Sequence, residues 1–171
     1  QAMGFRFYDA NEKEILHCCG GTMQDIVRID DSHVPDSVRQ STFTIACDVD
    51  TPFCGPEGAA PVFAPQKGAD TAMVQQLDAG MASLAKVIED KYHINIVPIA
   101  GAGAAGGMGG AFRAFLHATL KHGIDMVLDA IDFNAIIQNA DLVITGEGKI
   151  DFQTAKGKTA AGVLTRAKQQ G

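Results

Sequence analysis

Short runs of alternating apolar and polar residues fill the first third of the chain, and they predict strands rather than helices. Residues 4–8 alternate, a polar turn follows, and a second strand near 14–18 would complete a hairpin. Another short strand is predicted at Val27–Ile29. The run 42–49 is β-branched and apolar, which indicates a buried strand with Asp48 near its carboxyl end.

Helical spacing begins after a turn-rich loop at 51–58. A short helix is predicted at 57–64 and a long one at 71–91, with Asp70 as the amino-terminal cap of the long helix. Five apolar residues share one face of the long helix: Met73, Leu77, Met81, Leu84 and Ile88. We expect this methionine-rich face to lie in the core.

Strands and helices alternate in the pattern of the second half. The predicted elements are a strand at 94–99, helices at 107–121, from 125 and at 134–139, a strand at 142–145 and a helix at 159–169. This order, together with the opening hairpin, predicts an α/β fold with a mixed sheet flanked by helices. A length of 171 residues suits one domain.

Composition places the chain among folded globular proteins, since 46% of its residues are apolar. Twenty acidic and 14 basic residues leave a net charge of −6, which argues against nucleic acid as a partner. No apolar run reaches the length of a membrane span and no signal peptide opens the chain, so we expect a cytoplasmic protein without membrane contact.

The cysteines favour neither a disulfide framework nor a zinc site. They form no C-x-x-C pair, and no second cluster at ligand spacing follows His17. We expect reduced, mostly buried thiols at four positions: Cys18, Cys19, Cys47 and Cys54.

Candidate chemistry is densest at 141–158, where an apolar run enters the glycine turn Thr145–Gly148. In open α/β sheets, ligands bind at the carboxyl ends of strands. Acids there can hold a metal ion, while lysines and backbone N–H groups hold phosphate. The charged residues around the bend are Glu147, Lys149, Asp151, Lys156 and Lys158. These residue types favour a phosphorylated ligand.

The glycine-rich segment 101–110 has three interpretations. Gly101, Gly103 and Gly106 match the dinucleotide fingerprint, with Asp125 at the distance of a ribose contact, but no clear second strand end lies near Asp125. The segment could instead let the following helix pack closely, or present that helix's amino end to an anionic substrate. We favour a combination of the last two, with Gly103, Gly106 and Gly107 as substrate-binding candidates.

Isolated charges provide the remaining candidates. Gly157-Lys158-Thr159 resembles the end of a Walker A loop, but Phe152 stands where its first glycine is required, so Lys158 remains only as a point charge for phosphate. Lys67 lies alone in a Pro/Gly loop, where plain solvation is the alternative. Asp48, Glu147 and Asp151 are the best-placed acids, although turn or cap roles would also explain them.

Four segments together resemble the bacterial type of glycerate kinase. They are ACDV at 46–49, CGPEGAAPVFAPQKGA at 54–69, GAGAAGGMG at 101–109, and ITGEGKID at 144–151 with Gln153-Thr154 and Gly157-Lys158 following. The likeness extends over nearly all of the chain. Three positions depart from the family's frequent residues, namely Thr51 for Asn, Lys149 for Arg and Ala160 for Pro. The first two put exact contacts in doubt, since lysine cannot bind an anion in the bidentate way of arginine.

The resemblance implies ATP-dependent phosphorylation of glycerate with Mg²⁺. Such enzymes consist of two α/β domains, one inserted in the other, with the active site in the cleft between them. This chain would be the inserted domain plus a strand and helix of the parent, with a possible sub-boundary near residue 140. The missing parts of the same enzyme would be its partners, and the fragment alone would be inactive.

The phosphoryl-transfer hypothesis assigns a role to each candidate residue. Asp48 or Asp151 would orient or deprotonate the hydroxyl, Lys67 would neutralise phosphate or carboxylate, and Glu147 would help to bind the metal. The residues expected to contact ATP are Gly146, Glu147, Gly148, Lys149 and Lys158. Two alternatives stay open: a nicotinamide-dependent oxidoreductase and a non-catalytic domain that binds small carboxylates.

Overall fold

A computed structural model of the chain describes residues 1–146 and 159–170. The chain forms two compact units. Unit 1 comprises Gln1–Ile45 and Val49–Leu120, and unit 2 comprises Ala46–Asp48 and Lys121–Gly171. The sub-boundary near residue 140 stays a prediction.

The described strands form two small sheets rather than the single mixed sheet that the sequence predicts. β1 (Arg6–Tyr8) pairs antiparallel with β2 (Arg28–Asp30), with Phe7 opposite Ile29. β3 (Thr44–Ala46) pairs with β4 (Thr119–Lys121). The strand predicted near 14–18 is reduced to one bridge between Tyr8 and Glu14.

Helices supply most of the regular structure. They are α1 (Asp36–Gln40), α2 (Ala59–Phe63), α3 (Thr71–Tyr92), α4 (Ala104–Leu116), α5 (Gly123–Ala130), α6 (Phe133–Ile137) and α7 (Thr159–Gln170). Two 3₁₀ helices occupy Gly20–Asp25 and Pro65–Lys67. The fold is therefore α/β in class but rich in helix, and no helix within the described ranges is long and apolar enough to cross a membrane.

The long helix α3 confirms its prediction. Asp70 Oδ1 accepts a hydrogen bond from the Met73 N–H at 2.8 Å, which caps the first turn. Its apolar face becomes more buried along the chain: Met73 is 52% exposed, Met81 3% and Ile88 0%. The expectation that Met73 lies in the core is wrong, because the amino end of α3 lies at the solvent edge of unit 1.

Two predicted strands differ in the structure, since one is absent and the other is short. Residues 94–99 form no strand: Asn95 Oδ1 accepts from the Val97 N–H, which makes a turn, and Pro98 has no N–H to donate. Ile96 is nevertheless fully buried, so the apolar run fills the core without entering a sheet. The run 42–49 contributes only β3, whose residues are exposed or half-buried.

Helix α4 also ends earlier than predicted. It stops at Leu116, because His117 adopts a left-handed φ of 51°, and β4 then occupies part of the predicted helix. Lys121 ends β4, His122 is the N-cap of α5, and Gly123 is the first residue of α5. An aromatic cluster anchors α4 in unit 1, where the Phe115 ring lies 5.1 Å from Phe5, 5.8 Å from Phe7 and 5.9 Å from Tyr92.

Unit 2 is built from α5, α6 and α7, which pack on one another. Gly162 on α7 allows a close approach, since a Cβ there would lie 2.6 Å from Ile124 Cγ1 on α5. The predicted strand 142–145 is absent, and Leu142 and Ile144 are 75% and 86% exposed. No strand among the described residues lies beside them to pair with this run.

Candidate functional site

A large cavity in unit 1 brings several chain segments together. Its volume is about 590 Å³. Its walls come from the loop at 18–23, from α2, from the middle of α3 and from the start of α4. Three of the residues predicted from the sequence, Lys67, Gly106 and Gly107, line it.

Lys67 reaches the cavity from a short, well-defined turn. The 3₁₀ helix Pro65–Lys67 ends at Gly68, whose φ of 93° is readily adopted by glycine. Lys67 is exposed, and no carboxylate in the described parts of the chain forms an ion pair with it. As far as the described residues go, its ammonium group can therefore neutralise a bound anion.

The glycine-rich start of α4 serves packing first. A Cβ on Gly103 would lie 2.2 Å from the Pro52 carbonyl oxygen, and one on Gly107 would lie 2.9 Å from Met81 Cε. Gly107 also has a φ of 101°, which a larger residue adopts only with strain. These contacts support the interpretation that the segment lets the helix pack closely.

An anion site at the backbone of this turn is less well supported. The N–H groups of Gly106 and Gly107 both donate to the Gly103 carbonyl at 3.2 Å, so neither points freely at a ligand. Gly106 itself is exposed, with open space around its Cβ position. Gly103 does not line the cavity in unit 1. The substrate-binding roles of the three glycines stay predictions.

Asp48 lies in unit 2, where it has a clear structural role. Its Oδ1 accepts a hydrogen bond from the Gly123 N–H at 2.8 Å, at the first residue of α5. His122 Nδ1 lies 3.9 Å from the same oxygen. The carboxylate thus caps α5, as the alternative interpretation expected, while its side chain stays 66% exposed.

The glycine turn after residue 145 lies mostly outside the described residues. Five predicted site residues fall there: Glu147, Gly148, Lys149, Asp151 and Lys158. Gly146 is described and is exposed. No group of three or more His, Cys, Asp or Glu side chains within 1–146 and 159–170 could hold a metal ion.

Sequence reasoning missed that the segment 18–23, which carries Cys18 and Cys19, lines the cavity. Cys18 and Cys19 are exposed and line it, contrary to the expectation of mostly buried thiols, whereas Cys47 and Cys54 are buried. Hydrogen bonds from the Thr22 hydroxyl, and then from nearby backbone N–H groups, lower the pKa of the Cys19 thiol. Gly20, directly after the two thiols, was the available signal of a close approach, since a Cβ there would lie 2.5 Å from Leu77 Cδ2.

The dinucleotide interpretation lacks its structural context. That fingerprint requires a strand leading into the glycines, and residues 94–99 form none. Asp125, the expected ribose contact, is bound to the Arg166 guanidinium at 3.2 Å.

Comparison with known proteins gives one consistent result. The model of the glycerate kinase family matches residues 1–171. Glycerate kinase of Bacillus subtilis is 46% identical over 168 residues, which cover 98% of this chain and 44% of that protein. Glycerate kinase of Halalkalibacterium halodurans is 44% identical, covering 100% of this chain and 45% of that protein. Glycerate 2-kinase of Escherichia coli is 43% identical over 169 residues, which cover 99% of this chain and 44% of that protein.

A solved structure agrees with these sequences. The crystal structure of the protein described as glycerate kinase 2 from Salmonella typhimurium LT2 matches with a TM-score of 0.85 at 42% identity. The match covers 99% of this chain and 45% of that one. The chain therefore spans a little under half the length of the relatives it matches.

Proposed function

This chain belongs to the glycerate kinase family, and we propose that it forms part of an enzyme that transfers the γ-phosphoryl group of ATP to a hydroxyl of glycerate. One structural observation supports the proposal most directly. Lys67 and the turn at Gly106–Gly107, which are distant in sequence, line the same cavity. Because the chain spans about 45% of its relatives, the activity belongs to a full-length protein.

Phosphoryl transfer depends mainly on positioning the reactants and neutralising charge. Lys67 offers a cation that no described carboxylate already neutralises, and it can hold a phosphate or the glycerate carboxylate as a point charge. In unit 2, Asp48 Oδ1 is occupied by the Gly123 N–H. Its second oxygen could still accept the proton of a hydroxyl. Asp48 therefore stays one of the two candidate bases, and Asp151 is the other.

Mg²⁺ would neutralise the phosphates when bound. Carboxylate oxygens suit this ion, but the described residues contain no group that could hold it. A magnesium site in this chain would therefore depend on residues outside the described ranges, where Glu147 is the proposed ligand. The other proposed contacts to ATP, from Gly146, Gly148, Lys149 and Lys158, likewise depend on the turn after residue 145.

A chimeric enzyme tests the proposal. The matched segment of Bacillus subtilis glycerate kinase is replaced with this chain, and formation of ADP is measured with and without glycerate. We expect glycerate-dependent turnover. Lys67→Met should lower kcat/KM about a hundredfold, as removal of one group that stabilises transition-state charge commonly does.

Lys86→Met is the matched control, since Lys86 is also exposed but lies on α3 outside the cavity lining. Its kinetics should equal those of the parent chimera. A folded chimera that turns over ATP no faster with glycerate than without it would contradict the proposed function. Equal losses of kcat/KM in the Lys67 and Lys86 variants would show that Lys67 is not part of the site.

A further inference from the structure

The cavity in unit 1 is poorly matched to glycerate. Its volume of about 590 Å³ lies within the range of about 300–1,000 Å³ that is usual for sites of larger ligands. Its walls are mainly apolar, and the large apolar side chains that line it include Phe53, Phe63, Leu77, Met81, Leu84 and Met108. A three-carbon acid would leave most of this space empty and would not contact most of the apolar walls.

The charge of the cavity is confined to one position. Among the described residues that line it, Lys67 is the charged one, and it comes from the loop after α2. The rest of the lining consists of apolar and aromatic side chains, glycines and the thiols of Cys18 and Cys19. A matching ligand has a broad apolar part joined to an anionic part.

The proposed reaction supplies one such ligand. The purine of ATP has a large flat face that packs well against phenylalanine rings and methionine thioethers, and its phosphates carry the negative charge. On the basis of the proposed function, we infer that this cavity binds the adenosine half of ATP, with Lys67 beside the phosphates. Glycerate then binds outside the apolar part of the cavity.

Two methionines provide a matched pair of variants. Met108 on α4 lines the cavity and is 53% exposed, whereas Met3, near the start of the chain, is 38% exposed and does not line it. Replacing either with glutamate changes the same atoms at an exposed position, so the cost to folding should be small in both. Only Met108→Glu places a negative charge where it would repel ATP.

Binding to the 171-residue chain is measured first, by saturation-transfer NMR and calorimetry with ATP, adenosine, glycerate and decanoate. We expect saturation of the adenine and ribose protons, and competition between adenosine and ATP. Met108→Glu should weaken ATP binding at least tenfold, while Met3→Glu leaves it unchanged. Lys67→Met should weaken ATP binding but not adenosine binding, because it removes only the contact to phosphate.

The chimeric kinase gives the second measurement and separates this inference from the proposed function. We expect Met108→Glu to raise the KM for ATP at least tenfold and to change the KM for glycerate little. An active chimera whose KM for ATP is unaffected would overturn the adenosine site while the kinase assignment stands. An inactive chimera that still binds adenosine in the cavity would contradict the proposed function while the adenosine site stands. Binding of decanoate without adenosine would show that the cavity takes apolar acids instead.

Discussion

The two units bury their apolar side chains to very different extents. In unit 1, Ile26, Ile88 and Ile96 are at most 2% exposed and belong to one continuous core around α3. In unit 2, Leu128, Ile137 and Val163 are buried, but six large apolar residues are at least half exposed: Val127, Ile131, Ile136, Leu142, Ile144 and Leu164. Within the described residues, unit 1 thus has the more extensive apolar core, while the exposed apolar side chains of unit 2 are typical of a surface that contacts other protein.

Ion pairs among the described residues connect α7 to α5 in unit 2. Arg166 on α7 contacts both Asp125 and Asp129 on α5, and Lys121 also pairs with Asp129. Such partly exposed pairs contribute little compared with a buried apolar core. The difference indicates that unit 1 supplies most of the stability of this chain.

Truncation of a core residue should show the largest contrast. Ile88 is 0% exposed, so Ile88→Ala leaves a cavity in unit 1 and should lower the free energy of unfolding by about 2–5 kcal/mol. Ile136→Ala in unit 2 removes a side chain that is 65% exposed and should cost less than about 0.5 kcal/mol. Urea unfolding of both variants measures the difference, and equal losses would contradict the contrast between the units.

The exposed run at 142–144 in unit 2 provides a second test of the contrast between the units. Ile144 is 86% exposed, so Ile144→Asp should leave the stability of this chain nearly unchanged. In the chimeric kinase the same change should cost about 1–3 kcal/mol, because burial of an unpaired polar group is unfavourable. Thermal unfolding of the two proteins, each with and without the substitution, checks this. A similar small effect in both would show that the run stays exposed in a full-length enzyme.

Sequence predicted best where local rules agreed. The helix predicted at 71–91 spans Thr71–Tyr92 in the structure, because a side-chain cap at Asp70 and a sustained apolar period indicate the same element. The runs 94–99 and 142–145 show the opposite case, because a short apolar run does not reveal whether a partner strand exists. Lys67 stood out as a lone cation, but its convergence with Cys19 on one cavity depends on tertiary packing.

Asp48 tests whether its role is structural, chemical or both. Asp48→Ala removes the acceptor for the Gly123 N–H and should lower the stability of unit 2 by about 1 kcal/mol. Asp48→Asn keeps an oxygen acceptor and should retain most of that stability. Hydrogen exchange of the α5 amides reports the cap, and kcat of the chimera reports the chemistry. Full activity in a stable Asp48→Asn chimera would leave Asp48 as a cap alone.

The smallest effect expected is an acid sensitivity specific to unit 2. Hydrogen bonds from Arg166, and then from Lys121, lower the pKa of the Asp129 carboxyl. Because the folded pKa is below the unfolded one, this pairing stabilises unit 2 above the ordinary aspartate pKa of about 3.9, and the contribution is lost as the pH falls through the folded value. Exchange of the α5 and α7 amides should accelerate over that window relative to the intrinsic rate. Arg166→Met should flatten the pH dependence of exchange, whereas Arg113→Met in unit 1 should not. An unchanged pH profile in the Arg166 variant would show that the ion pairs do not stabilise unit 2.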